Sequence, residues 1–422
     1  MNAKRDILNF IHIFRPIYVP ISNFIRSTFG TQGYVFAICK FIRRLPNAYF
    51  RGYVNNYRNP IEHDEGKTQR HPIMNMQVHV LGNKNKGKVI MLLENQSHHA
   101  GFCALWVYFL NRLSFSDKKG FYHVIDWNES EFYQEDHPIN GSTSIFEYYF
   151  EQPCGISIED ARKSNFVIYD WNNPEFGYND TFHVGDTNDY KFTTADIEQF
   201  AKIQRKYIHL HKDIENSIKD QIEKLFQGSA NVLGVHARGA DTKIGYKGHP
   251  TIVTSEDYID ETRKMSEKIK ADLIFLATDD QEMLDQFKVA FGDKLVYYED
   301  VIRSTGTIMN CFIEKERENH HYLLGLEIIR DVYTLAACKG FVCGMSYVSF
   351  IVQILKKANN QKFRGFHRIF KGIKEDGVDL NDANARKKIS EKWEKELGID
   401  GKKKLLNNKN IYQENEKDQD YE

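Results

Sequence analysis

The sequence of 422 residues predicts an α/β protein with two domains, each built around a mainly parallel sheet. Short apolar runs of strand length alternate with longer segments whose apolar residues recur at helical spacing. This alternation occurs twice, in residues 87–170 and again in residues 231–343, and a charged helical stretch, Thr193–Phe226, lies between them. Such alternation is typical of parallel sheets that are covered by helices on both faces.

The composition is that of a globular protein, with 41% hydrophobic and 27% charged residues. A formal net charge of -1 gives no sign of a nucleic-acid binder. The six cysteines form no Cys-x-x-Cys pair, which argues against a zinc or dithiol site and favours a reducing compartment. Because no apolar run reaches about 18 residues and the first residues lack the design of a signal peptide, we expect a cytoplasmic protein.

The first 65 residues form a basic amphipathic extension. Residues 1–60 mix Ile, Phe and Tyr with many Lys and Arg residues, and Asp6 is their only acid. Two interpretations stay open: a helical extension that packs against the main body, and a segment that contacts an anionic membrane surface peripherally.

A polar linker, Asn59–His71, separates this extension from the first domain, which we assign to residues 66–225. Its predicted strands are Gly87–Glu94, Phe121–Asp126 and Asn165–Asp170, with a helix over Gly101–Leu113. The second domain takes residues 226–375. Its predicted strands are Asn231–Val235, Asp272–Thr278, Leu295–Tyr298 and Gly340–Cys343, and its helices are Ser255–Lys270, Gln281–Phe291 and Leu323–Lys339. Residues 376–422 are predicted to be a charged helix and a disordered tail.

Polar side chains follow all four strands predicted for the second domain. They are His236-Ala-Arg238-Gly239-Ala-Asp241, Asp279-Asp280, Glu299-Asp300 and Gly344-Met-Ser346. Ligands of open parallel sheets bind beyond the carboxyl ends of the strands, and a purely structural sheet needs no such pattern. The sequence therefore predicts a ligand site at this edge of the second sheet.

The first of these loops has the features of a phosphate site. Arg238 stands at a strand end, where its guanidinium can bind a phosphate through two hydrogen bonds. Gly239 permits close approach of the backbone, and Asp241 is placed to hold the arginine or the loop. The structural alternative is an Arg-Asp pair that only stabilises the turn.

The same loop carries a resemblance to a known family. Residues 235–241, Val-His-Ala-Arg-Gly-Ala-Asp, resemble the His-x-Arg-[Arg/Gly]-x-Asp signature shared by α1,6-, α1,2- and protein O-fucosyltransferases. Three further blocks follow in the order seen in the α1,6 group: His249-Pro250, a strand ending in Thr278-Asp279-Asp280, and a helix with Asp331 followed by a strand and Ser346. The resemblance covers about residues 232–356.

The resemblance implies a fold, a reaction and a set of roles. The fold would be GT-B-like, with two Rossmann-like domains facing a cleft, the first on the acceptor side and the second binding a GDP-sugar. Arg238 would bind the β-phosphate and stabilise the leaving GDP, and Ser346 would donate to the diphosphate. His236 and Asp331 would hold the guanine. The implied catalytic residues are Arg238, Asp241 and Asp280, and the implied donor-binding residues are His236, Arg238, Gly239, Asp279, Asp331, Ser346 and Gly101.

Chemistry agrees with this assignment, because a fixed cation and nearby donors can offset the charge that develops on a leaving diphosphate without a metal. We therefore predict an inverting, metal-independent fucosyl transfer from GDP-fucose to a glycan, with no cofactor. Asp279-Asp280 keeps a metal-dependent alternative open. The acceptor and its linkage stay open, and a lipid-linked glycan would give residues 1–60 a reason to contact a membrane. The competing functions are transfer from another GDP-sugar and nucleotide binding without transfer.

The first domain offers the loop 94–102, in which Gly101 and the following helix start are placed to contact the diphosphate through backbone N–H groups. The sequence departs from the α1,6 pattern at residues 242–248, which contain no acid where the family has its acceptor-activating Glu. Glu94, Asp126 and His99 are alternative bases, and His98 is a further candidate for contact with the sugar. Trp127, Trp171 and the aromatic run 146–150 are either core residues or an acceptor-stacking surface.

Overall fold

The computed structural model describes residues 69–70, 77–94, 100–128, 130, 132–169, 193–239, 243–308, 313, 317–379 and 382–397. The amino-terminal extension, the charged tail after residue 397, and the predicted residues Asp241, His98, His99 and Trp171 lie outside these ranges. The chain divides into two compact units: unit 1 is Met1–Leu92 with Ile158–Asp180, and unit 2 is Leu93–Ser157 with Thr181–Glu422. The domain boundary between residues 225 and 226 stays a prediction.

The described elements alternate between strands and helices through most of the chain. In chain order they are β1 (Gln69–Arg70), β2 (Gln77–Val78), β3 (Ile90–Glu94), α1 (Phe102–Lys119), β4 (Tyr122–Asp126), α2 (Ile145–Tyr149), α3 (Ile158–Ala161), β5 (Val167–Tyr169), α4 (Thr194–Tyr207), α5 (Lys212–Phe226), β6 (Val232–His236), α6 (Ser255–Ile269), β7 (Leu273–Ala277), α7 (Gln281–Phe291), β8 (Leu295–Val296), α8 (His320–Ala337), β9 (Gly340–Cys343), α9 (Tyr347–Ala358), β10 (Gly365–Arg368) and α10 (Ala383–Leu397).

Unit 1 contains two small pairings. Strands β1 and β2 pair in antiparallel fashion, and β3 pairs in parallel with β5, Ile90 lying opposite Val167. Strand β3 starts in unit 1, and its last two residues belong to unit 2. All but the last residue of β3 are buried, as expected for a strand covered on both faces.

Unit 2 contains a parallel five-stranded sheet of order β10-β9-β6-β7-β8. The predicted α/β fold class is confirmed in these parallel sheets with alternating helices. All five residues of β6 are buried, so the central strand is covered on both faces. Strand β10 was not predicted, and the predicted strand at 295–298 ends at Val296.

The helices that follow the strands begin where polar residues bind their first free N–H groups. Thr254 and Asp257 form a capping box at α6, and Ser346 and Ser349 form one at α9. The start of α6 agrees with the prediction from Thr254 and the acids that follow it. The predicted charged stretch Thr193–Phe226 divides into α4 and α5 around residues 208–211.

The aromatic run of the first predicted domain belongs to the core. Trp127, Tyr148 and Tyr149 are among the largest fully buried side chains, and Phe102 packs against both Trp127 and Tyr149. The core interpretation of Trp127 and residues 146–150 is therefore correct, and the acceptor-stacking alternative is wrong for them. None of the helices in the described ranges is long and apolar enough to span a lipid bilayer.

Candidate functional site

The five-stranded sheet has a crevice beside its central strand. Strand β6 is followed by β7 on one side, whereas β9, later in the chain, lies on its other side. The three strands end at the same level, since His236 lies opposite both Ala277 and Cys343. Strand order therefore reverses at β6, and this reversal is the place where ligands of open α/β sheets bind.

A cavity of about 380 Å³ lies in unit 2, at the carboxyl ends of these strands. Its size falls in the range of small-molecule sites, roughly 300–1,000 Å³. The predicted residues that line it are Gly101, His236, Arg238, Asp279, Asp331 and Ser346. These six residues are spread over ~250 positions of the sequence, from Gly101 to Ser346, so only tertiary folding brings them together in one cavity.

One part of the cavity lining, called the anion-binding end below, is suited to an anion. Arg238 is half-buried there, and Ser346–Val348 bring the start of helix α9 into the lining. The Ser346 hydroxyl accepts a hydrogen bond from the Ser349 N–H at 3.1 Å, which holds the first turn in place. The first-turn N–H groups and the positive end of the helix dipole favour a phosphate group.

His236 supports this end without adding a charge. Its side chain is buried, and Nδ1 lies 3.4 Å from the Ser346 hydroxyl. Burial, reinforced by the nearby Arg238 guanidinium, lowers the pKa of His236 to about 3. The imidazole is therefore neutral near pH 7 and acts by hydrogen bonding.

The loops after β6 and β7 are tied together. The Gly239 N–H donates to Oδ1 of Asp279 at 3.0 Å, so Asp279 both lines the cavity and holds the Arg238 loop. Asp280 is buried; its Oδ1 accepts from the Glu282 N–H at the start of α7, and its Oδ2 pairs with Lys243 Nζ at 2.7 Å. These contacts of Asp280 are structural, and its catalytic role stays a prediction.

We expect Gly239→Ala to destabilise the protein by about 1–3 kcal/mol, the usual effect of overpacking a buried site. A Cβ atom at this position would lie 2.3 Å from both Cβ and Oδ2 of Asp280, so the Asp280 cap or its Lys243 ion pair has to break. Urea unfolding measures the change. Gly101→Ala is the matched control, because nothing lies within 4 Å of a Cβ atom placed at position 101. Equal stability of the two variants would contradict the close packing at Gly239.

A second part of the cavity lining, called the acidic end below, consists of two acids from helix α8. Asp331 and Glu327 lie one turn apart, so both face the cavity. Burial raises the pKa of Asp331 to about 7, although Arg330 and Arg303 act against the rise. Burial also raises the pKa of Glu327, which accepts from Arg317 at 2.6 Å.

Several lining residues were not predicted as site residues. They are Phe132, Tyr133, His249, Glu327 and Tyr347. The spacing of four between Glu327 and Asp331 in a mainly apolar helix was a usable signal for Glu327. Tyr133 had none, because it reaches the site through a contact distant in sequence: its hydroxyl accepts from the Phe102 N–H at 3.1 Å, at the start of α1.

Two of the alternative bases, Glu94 and Asp126, are not among the described residues that line the cavity. Asp126 is buried and accepts from the Asn128 amide at 2.6 Å. His99 lies outside the described residues.

No protein-family model matches the chain, and no curated protein matches it. Among solved structures, the α1,6-fucosyltransferase NodZ soaked with GDP-fucose is 17% identical, and the match covers 64% of this chain and 92% of that one with a TM-score of 0.38. Fucosyltransferase NodZ from Bradyrhizobium matches with a TM-score of 0.37. POFUT1 in complex with GDP-fucose is 13% identical, with 69% and 99% coverage and a TM-score of 0.39. At identities of 13–17% and TM-scores of 0.37–0.39, these matches assign no function to this chain.

Proposed function

We propose that this protein is a glycosyltransferase that moves fucose from GDP-fucose to a glycan acceptor. The observation that carries the proposal is that one cavity holds two kinds of binding group. Arg238 and the start of helix α9 form the anion-binding end, and Asp331 with Glu327 form the acidic end. A nucleoside diphosphate offers a partner to each group, its phosphates to the first and the N–H donors of a base to the second.

The anion-binding end supports departure of a diphosphate. As the bond from the sugar to the β-phosphate breaks, negative charge grows on the phosphate oxygen. Arg238 lines the cavity, and the capping box holds the first turn of α9, so these groups can stabilise that charge with little reorganisation of solvent. The arrangement supports a role for them in stabilising the leaving GDP.

Guanine fits the acidic end better than the other common bases. A carboxylate accepts from two adjacent N–H groups, and guanine presents N1–H and N2–H side by side. Asp331 lies at this end, and its pKa of about 7 allows ionisation under ordinary conditions. The residues therefore favour a guanine nucleotide over an adenine or uracil one.

We propose a metal-independent, inverting transfer. Both carboxylate oxygens of Asp280 already have protein partners, Glu282 and Lys243, which disfavours an Asp279-Asp280 metal pair. Arg238 supplies the positive charge that a metal would otherwise bring. The groups proposed to bind GDP do not distinguish fucose from other sugars, so another GDP-sugar is the second candidate donor.

The acceptor we propose is a glycan, and a lipid-linked glycan agrees with the basic segment 1–60. Peripheral membrane contact and a cytoplasmic location stay predictions, because that segment lies outside the described residues.

Calorimetric titration with GDP, GDP-fucose, UDP and ADP, in the presence of EDTA, tests the proposal. We expect the two guanine ligands to bind and the other two not to bind. Binding of UDP equal to that of GDP would contradict the role of the acidic end. Failure of both guanine ligands to bind, with EDTA and also with Mg²⁺ in its place, would refute the proposed function. Binding that occurs with Mg²⁺ and not with EDTA would refute metal independence alone.

A further inference from the structure

We propose that Glu135 is a positioning residue of the nucleotide cavity, an assignment that rests on the proposed function. Its carboxylate ties the segment 132–137, which supplies two aromatic residues of the cavity lining, to the start of helix α8. That helix supplies the two acids of the acidic end. Glu135 would therefore hold two parts of one binding site together without touching the nucleotide itself.

Helix α8 does not cap its own start. The first N–H groups of a helix have no partner within the helix and need acceptors from elsewhere. The N-cap residue, Asn319, has a left-handed backbone with φ 54°, and its side chain makes no capping hydrogen bond. The first turn of α8 contains no acid. An acceptor for these N–H groups therefore has to come from another part of the chain.

Glu135 supplies that acceptor. Its Oε1 accepts a hydrogen bond from the Tyr322 N–H at 2.8 Å, across 187 positions of the sequence. Tyr322 is the third residue of α8, and the N–H group of this position is one that a capping side chain ordinarily binds. The positive end of the helix dipole also attracts a carboxylate. Glu135 thus does from a distant segment what an N-cap residue does from the adjacent position.

Two further contacts join the same segment to the start of α8. At one end of the segment, the Phe132 carbonyl accepts from Nδ1 of His321 at 3.0 Å. At the other end, Nε2 of His137 lies 2.9 Å from Oδ1 of Asn319. The Asp136 carboxylate lies 2.6 Å from Nδ1 of His137, and this contact raises the pKa of His137. With the Glu135 contact between them, these contacts hold the whole segment 132–137 on the helix.

The contact matters for the cavity because both partners line it. Phe132 and Tyr133 are buried, and both belong to the lining. Glu327 and Asp331 of α8 belong to the same lining. If the segment left the helix, the aromatic residues would move relative to the two acids. A nucleotide that contacts both parts binds tightly only to the closed arrangement, in which the segment is held on α8.

Hydrogen exchange at the Tyr322 amide and calorimetry with GDP test the assignment in the full-length protein. In Glu135→Ala we expect this amide to exchange faster by about tenfold or more, as for loss of a hydrogen bond to a charged group. The affinity for GDP should fall by about tenfold, since less of the protein is closed. Saturating GDP should slow exchange at Tyr322 in the variant, because binding favours the closed arrangement. A cap without a link to the cavity would not respond to GDP.

Glu318→Ala is the matched control. Glu318 is exposed and directly precedes Asn319, so its removal takes the same charge from the start of α8 and leaves the Tyr322 contact in place. This variant should exchange at Tyr322 and bind GDP like the wild type. Glu135→Gln keeps an oxygen that can accept from the Tyr322 N–H, so it should recover most of the GDP affinity.

Three results would overturn the assignment: exchange at Tyr322 in Glu135→Ala at the wild-type rate, an unchanged affinity for GDP, or an equal loss of affinity in Glu318→Ala. Should Glu135→Ala fail to fold, His137→Ala is the second variant, because this exposed side chain contributes only the contact to Asn319. Wild-type exchange and affinity in that variant would then overturn the assignment. A wild-type protein that does not bind GDP would instead refute the proposed function, and exchange at Tyr322 in the free protein would still show whether Glu135 holds the start of α8.

Discussion

Arg238→Ala is expected to lower the rate of GDP release from GDP-fucose by about 10²–10³-fold, the range seen when one fixed electrostatic contact to a transition state is lost. The guanidinium is half-buried at the carboxyl end of β6 and lines the cavity beside the start of α9. In the proposed reaction its charge would interact most strongly with the phosphate oxygen that gains charge as the bond breaks. The loss should therefore fall mainly on kcat, with a smaller change in GDP affinity.

Two comparisons make this result specific. Arg238→Lys keeps the charge but loses the planar fork, so it should recover only part of the rate. Arg263→Ala removes an exposed arginine on α6 that pairs with Asp260, and should leave the rate unchanged. Steady-state kinetics of the three variants measure the difference. Equal kcat in Arg238→Ala and the wild type would show that the diphosphate leaves elsewhere.

Asp331→Asn is expected to weaken GDP binding by about 100-fold, because hydrogen bonds to a charged group contribute about 1.5–3 kcal/mol each. The side-chain amide of asparagine has only one acceptor oxygen, and its NH₂ group would face an N–H donor of guanine. ADP presents no N1–H group, so the preference for GDP over ADP should shrink by a similar factor. Calorimetry with both nucleotides measures the change, and Asp220→Asn on the exposed face of α5 is the control.

The pH dependence of GDP binding follows from the pKa of about 7 for Asp331. The proposed contact to guanine needs the carboxylate, so the affinity for GDP should be highest above pH 7 and fall as the pH drops below it, by about tenfold per unit. Asp331→Asn should lack this slope. A wild-type affinity that is flat between pH 6 and 8 would contradict guanine binding by Asp331.

The ionised side chain of Asp331 should lower the free energy of unfolding at high pH. Because the folded pKa is above the ordinary value of 3.8, the protonated form stabilises the fold below about pH 4, and this contribution is lost as the pH rises to 7. Asp331→Asn should therefore raise the melting temperature at pH 8 more than at pH 4. The opposite trend would show that Asp331 is ionised in the folded protein at low pH.

Local sequence was enough to place much of the sheet and its edge. Strand and helix periods predicted β6, β7, β9, α6 and α7 to within two residues. Since parallel strands present their carboxyl ends on one edge, the polar residues after these strands were expected together, and His236, Arg238, Asp279 and Ser346 do line one cavity. The Thr254 cap was likewise readable, because it depends on residues three apart.

Tertiary structure alone decided the rest, because those contacts join residues distant in sequence. It gave Asp280 an ion pair with Lys243 and brought Glu327 and Asp331 of α8 into the same cavity as Arg238. It also brought Phe132 and Tyr133 into that lining, from a part of the chain whose pattern carries no sign of the contact. The sequence by itself determined which residues reach the sheet edge, since strand direction and period are local. Which of them face a common space depends on packing between elements, and that packing is not local.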